Sequence, residues 1–230
     1  MKKLGTIIAV TLALVSINSC KSKMTEVNPL LVASENPYGA PAFDKIKNEH
    51  YKPAFEAAIA EGRAQIDSIV ANSEAPTFAN TIEALEYSGR TLSNIGSIFF
   101  NLNEAATDST MQALALEISP LLTEYSNDIM LNEKLFARIK TVYEAKDSLG
   151  LNAEQMRLLE ETYKGFVRNG ANLSEEDKTK FREVNKELSQ LGLQFGQNVL
   201  AATNKFFIQI KDSAELAGLP AFVKEAGASE

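Results

Sequence analysis

The chain has 230 residues, 45% of them hydrophobic and 23% charged, enough for one ordinary domain with a real core. Asp and Glu outnumber Lys and Arg by 30 to 23, a formal charge of -7, which speaks against nucleic acid as a partner because phosphates call for basic patches. One histidine, one cysteine and no tryptophan exclude more. A catalytic zinc site usually takes two or three histidines, and a serine or cysteine hydrolase needs a histidine base beside its nucleophile.

The chain opens like a targeting segment. Lys2 and Lys3 are followed by an apolar run from Leu4 to Val15, too short to span a bilayer. Ile17-Asn18-Ser19-Cys20 then has the form of a bacterial lipobox. Residues 1–19 are expected to be a lipoprotein signal peptide, with Cys20 lipidated and first in the mature chain. The alternative is an ordinary signal peptide with an incidental cysteine. The lipid anchor would place the protein in a bacterial cell envelope, periplasm-facing or at the outer membrane. Residues 20–40, rich in Ser, Asn, Pro and Gly, read as a flexible tether, with order beginning near Pro41-Ala42-Phe43.

From there to residue 205 the pattern is helical. The first segment opens at Tyr51-Lys52-Pro53, with proline in the first turn, and repeats Phe55, Ile59, Ile66 and Val70 on one face. The second starts at Thr77 or Asn80, where Asn80 and Glu83 have capping-box spacing, and runs on through Ile82, Leu85, Leu92, Phe99 and Leu102. Gly89 and Gly96 lie on that face, either tolerated or marking close approach of a neighbouring helix. The third, from Asp108, keeps helical spacing from Met111 to Ile129 straight through Pro120, which predicts a kink. The fourth follows Asn132, turns Leu135, Phe136, Ile139, Val142 and Tyr143 inward, and ends at Gly150. Asn152 and Gln155 cap the fifth, which buries Met156, Leu159, Tyr163 and Phe166 and stops at Gly170.

Ser174-Glu175-Glu176-Asp177 starts the last long helix. Its residues Phe181, Val184, Leu188, Leu191 and Phe195 alternate spacings of three and four, as in a helix packed into a bundle core. Phe206 to Ile210 then reads as a short strand without a partner, Asp212 to Leu219 as a short helix, and Pro220 restarts the chain. The expectation is an all-α fold: an elongated antiparallel helical bundle with kinked long helices over residues 41–205, ending in an orphan strand and small helices. Residues 206–230 read as the incomplete start of a following segment.

Several stretches resemble one family. Asn48 to Ile59, the run Pro76-Thr77-Phe78-Ala79-Asn80-Thr81-Ile82-Glu83-Ala84-Leu85-Glu86, Asn169 to Leu173, Leu191 to Val199 and Glu215 to Pro220 are similar to the peptidyl-dipeptidase and oligopeptidase A branch of the thimet oligopeptidase family. The resemblance covers nearly everything from Pro41 onward. It implies a mostly helical zinc metallopeptidase that trims short peptides, with zinc on a His-Glu-x-x-His helix whose glutamate is the general base. His50 is the sole histidine and cannot supply that pair. No catalytic, cofactor-binding or metal residue is therefore assigned, and Cys20 is the one modification site. The resemblance covers only the family's N-terminal helical portion, so zinc belongs to the full-length family and not to this chain. Its expected partners are short peptides, within the full enzyme, and a membrane surface. A free-standing helical lipoprotein that binds peptides or a protein partner is the other reading.

His50 is expected to cap or pack at the first helix. Glu160-Glu161 and Glu175-Glu176-Asp177 invite a metal or acid-pair reading, against which helix-start electrostatics explain the second group. Tyr51, Tyr87, Tyr125, Tyr143 and Tyr163 are expected in the core or at its rim.

Overall fold

A computed structural model describes residues 27–228, and among these every regular element is a helix. Helix α1 (Asn48–Ala71) is central, packing against α3 (Arg90–Ala105), α4 (Ser109–Met130) and α5 (Glu133–Glu144). Helix α6 (Ala153–Arg168) lies on α5, and the 31-residue α7 (Glu175–Lys205) lies on α4. Between α1 and α3 a π-helical stretch, Phe78–Glu83, runs into the single turn α2 (Ala84–Glu86). After α7 come a 3-10 turn, Ser213–Leu216, and the short α8 (Ala221–Gly227).

Helix starts follow the side-chain caps that the sequence supplies. Asp108, Asn132, Asn152 and Ser174 each accept a hydrogen bond from the backbone N–H three residues on, satisfying one orphan donor of a first turn. Asn152 and Gln155 form the reciprocal box expected of them.

Two apolar clusters hold the bundle. The first joins the N-terminal half of α1 to α3 and α4 through Tyr51, Phe55, Leu92, Ile95, Phe99 and Ile118. Its rings meet edge to face, Tyr51 to Phe99 at 4.8 Å and Phe55 to Phe99 at 5.7 Å between centroids, each pair adding about 0.5–1.5 kcal/mol beyond area burial. Leu30 is also buried there, and Asn28, two residues before it, donates from Nδ2 to the His50 carbonyl at 2.8 Å. The second cluster joins the end of α1 to α5 and α6 through Ile66, Ile69, Leu135, Ile139, Leu159 and Phe166.

Several expectations need correction. Helix α1 starts at Asn48, not at Tyr51, so Pro53 is its sixth residue and lies beyond the first turn. Asn80 is not the cap of the second segment: Thr77 is, and Asn80 answers it three residues on. That segment is also not one helix. It breaks at Gly89, whose φ of 68° lies in the left-handed region that glycine enters without a Cβ penalty. Residues 206–210 form no strand: a strand is held by ladder bonds to a neighbour, and no strand exists among the described residues to supply them. Finally, Val184, Leu188, Leu191 and Phe195 of α7 are exposed and not in a bundle core.

Close helix approach occurs at a glycine that the spacing did not single out. A Cβ on Gly62 of α1 would run into the hydroxyl of Tyr125 on α4, whereas one on Gly96 would meet nothing within 4 Å. Helix propensity alone favours alanine over glycine by about 1 kcal/mol at both sites. Gly96→Ala should therefore raise stability by up to that amount, while Gly62→Ala should lower it, because overpacking costs about 1–3 kcal/mol. Urea midpoints of the two variants check the opposite signs.

Candidate functional site

His50 stands at the third position of α1, half-buried. Its Nδ1 accepts from the Lys47 backbone N–H at 3.1 Å, and its own N–H donates to the Lys47 carbonyl at 2.9 Å. The ring nitrogen that faces the protein is thus used in capping the helix.

The acidic pairs are matched with cations. Glu160 lies 3.3 Å from Lys146 and 3.6 Å from Lys164, and Glu161 lies 3.4 Å from Arg157 and 3.5 Å from Lys164. Glu175 holds Lys178 at 2.8 Å and Glu176 holds Lys180 at 2.7 Å, while Asp177 accepts from Ser174 Oγ. Hydrogen bonding from Lys146, then the charges of Lys164 and Lys146, keep the Glu160 carboxyl below its ordinary range. The same is true of Glu133, bonded by Lys178. A general acid would need the opposite shift. Among the described residues no three His, Cys, Asp or Glu converge to hold a metal ion. With one histidine the chain does not fit the two-histidine zinc motif.

The Thr77-Phe78-Ala79-Asn80-Thr81 stretch proves to be a polar hub. The Thr77 N–H donates to Asn80 Oδ1 at 2.8 Å, and the Asn80 N–H returns a bond to Thr77 Oγ1 at 3.1 Å. Asn80 Oδ1 also accepts from Thr81 Oγ1 and from Arg138 on α5, whose guanidinium donates to the Asn72 carbonyl at 2.8 Å as well. Arg138 is buried, although in the sequence it is one basic residue in a charged helix with nothing to mark it. Of the tyrosines, Tyr51 and Tyr125 are buried, Tyr143 and Tyr163 stack at 3.9 Å, and Tyr87 is exposed. Burial raises the Tyr125 phenol above its ordinary value.

Helix α7 is arranged differently from the others. From Lys178 to Ser189 the side toward the bundle is polar. Lys178 reaches Glu133 at 2.9 Å, Arg182 reaches Asp128 at 2.7 Å, Asn185 reaches Asn127 at 2.7 Å and Ser189 pairs with Ser119 at 2.6 Å. Further along, Gly192 and Gly196 line a cleft of about 310 Å³ with Asn103, Glu104, Thr107 and Gln112. Leu193 also lines that cleft and packs against the first cluster, whereas other apolar residues of α7 face elsewhere: Leu188 is 65% exposed and Phe195 71%. No helix among the described residues is long and apolar enough to cross a membrane. Cys20 lies outside the described residues.

No family model matches the chain. Curated relatives do. It is 44% identical over 196 residues to dipeptidyl carboxypeptidase of Escherichia coli, covering 85% of this chain and 29% of the relative. The chain is similar to the N-terminal part of the thimet oligopeptidase-like metallopeptidases. Oligopeptidase A of Salmonella typhimurium is 31% identical over 193 residues, 84% of this chain and 28% of the relative. Thimet-like oligopeptidase of Dictyostelium discoideum is 28% identical over 182 residues, 77% and 26%. The chain spans under a third of the length of the curated relatives it matches.

The Glu160 contacts set a pH dependence. Its folded value lies below the unfolded one, so its stabilisation is fully present above the unfolded carboxylate value of about 4.3 and is lost as pH falls through the folded value. Glu160→Gln should lower the urea midpoint at neutral pH, and the two chains should converge in acid below both values.

Proposed function

We propose that this chain is the helical portion of a peptidase that cleaves short peptides, and that zinc and its ligands come from polypeptide outside these 230 residues. The observation that carries this reading is the 44% identity to dipeptidyl carboxypeptidase over 85% of the chain. The histidine count supports placing the metal elsewhere, since two histidines one helical turn apart cannot be drawn from one. Removal of C-terminal dipeptides is the finer activity that the relatives' names suggest. The purified chain, assayed on short peptides with added zinc, should show no cleavage above background. Zinc-dependent hydrolysis by the chain alone would overturn the assignment of catalysis to other polypeptide.

The other reading, a free-standing lipoprotein that binds peptides or a partner, requires a fold complete in itself. The exposed apolar side of α7 counts against it.

The proposed location is the bacterial cell envelope, through lipid on Cys20, supported by Lys2-Lys3, the short apolar run and Ser19 before the cysteine. In a bacterial host, intact-mass analysis should find acyl chains on Cys20 and the preceding residues removed. C20S should abolish both acylation and recovery in the membrane fraction. An unacylated cysteine would leave an ordinary signal peptide.

A further inference from the structure

Helix α7 is divided lengthwise into three sectors. At 3.6 residues per turn, Lys178, Arg182, Asn185 and Ser189 fall on one side, and this is the side bonded to α4 and α5. Glu183, Lys186, Glu187, Gln190 and Gln194 make a charged and amidic side suited to water. Val184, Leu188, Leu191, Phe195 and Val199 make the third, roughly 120° round the helix from the bonded side. All five are exposed. The helix cannot roll to bury them without breaking the four polar contacts that fix its register.

We propose that this third sector is the docking surface for the remainder of a peptidase chain, and that a long helix of that remainder packs along it. The inference rests on the peptidase reading above. The spacing alternates four, three, four and four, the stripe over which a second helix packs at a shallow angle. From Val184 to Val199 it is about 22 Å long, some four turns. The exposed apolar surface does not end with α7. Phe206, Phe207 and Ile208 continue it in extended chain, and Phe222 in α8 is exposed too. A second copy paired through α7 would cover the stripe and leave that continuation in water. The matched relatives, more than three times as long as the stretch they share with this chain, have the polypeptide to cover both.

The test is to transplant the chain into the Escherichia coli dipeptidyl carboxypeptidase in place of the stretch it matches, with and without L188K/L191K. In the isolated chain the double substitution should leave the thermal midpoint unchanged, because both side chains already face water. In the chimaera it should lower the midpoint by several degrees and reduce soluble yield. Equal midpoints in the two chimaeras would overturn the proposal, as would failure of the unsubstituted chimaera to fold. It would also be overturned by a defined dimer of the isolated chain, seen in sedimentation, that L188K/L191K converts to monomer. Peptide hydrolysis is read separately: a folded, substitution-sensitive chimaera without activity keeps the docking surface and rejects the peptidase reading. An active chimaera indifferent to L188K/L191K does the reverse.

Discussion

Gly62 leaves a space on α1 that the ring of Tyr125 fills, and the position of α4 follows from that fit. One turn on from Tyr125, Asp128 then lies between two arginines, with Arg63 of α1 at 2.7 Å from one carboxylate oxygen and Arg182 of α7 at 2.7 Å from the other. A carboxylate shared by two guanidiniums ties the helices by charge, and the Arg182 contact is a hydrogen bond that sets a direction as well as a distance. As exposed pairs they contribute little energy singly. Their role is positional: three helices are tied at one point whose place depends on a glycine two turns along α1 from the aromatic cluster. Asn127 and Ser119 on the same helix extend the tie along α7.

Much of the bundle was legible because helix boundaries are written in local chemistry. Asp108, Asn132, Asn152 and Ser174 each precede a periodic segment and each caps it, and the inward residues Leu135, Ile139, Leu159 and Phe166 are buried as their spacing requires. Glycine was harder to read. Gly62, Gly89 and Gly96 look alike in sequence, yet one admits a neighbouring ring, one stands with positive φ just before a helix begins and one faces open space. The difference lies in what stands opposite, which periodicity does not encode. The pattern of Phe206 to Ile210 is strand-like for the same reason that it forms no strand here: alternation records a preference for a half-buried pleat, and pairing needs a second chain segment.

The widest departure of structure from sequence pattern lies in α7 and has a physical cause. A stripe at three- and four-residue spacing shows that a face is apolar; it does not show which neighbour covers it. Between Lys178 and Ser189 the neighbours of α7 inside the bundle are Glu133, Asn127, Asp128 and Ser119, and they take the polar residues, with Leu193 packing on the apolar core further along. Polar contacts with fixed partners specify orientation more sharply than apolar ones, which are non-directional. The helix therefore settles by its bonds and presents its apolar side away from them.

One of the stretches that resemble the peptidases, Thr77 to Thr81, has a related lesson. Its side chains are occupied with one another, with the turn after α1 and with Arg138, and Thr81 is fully buried. Likewise Gly170 turns the chain after α6 with φ of 89°, where Leu173 and Leu131 crowd the place of a side chain. These are devices for fixing angles between helices. His50 belongs with them, closing the first turn of α1 while its carbonyl holds Asn28. Motifs of this kind carry shape rather than reactivity. In the peptidase reading their value is that a rigid bundle can hold the α7 surface at a set distance and tilt from whatever packs on it. A glycine contact, a shared carboxylate and a set of capped turns together supply that rigidity without a single reactive group.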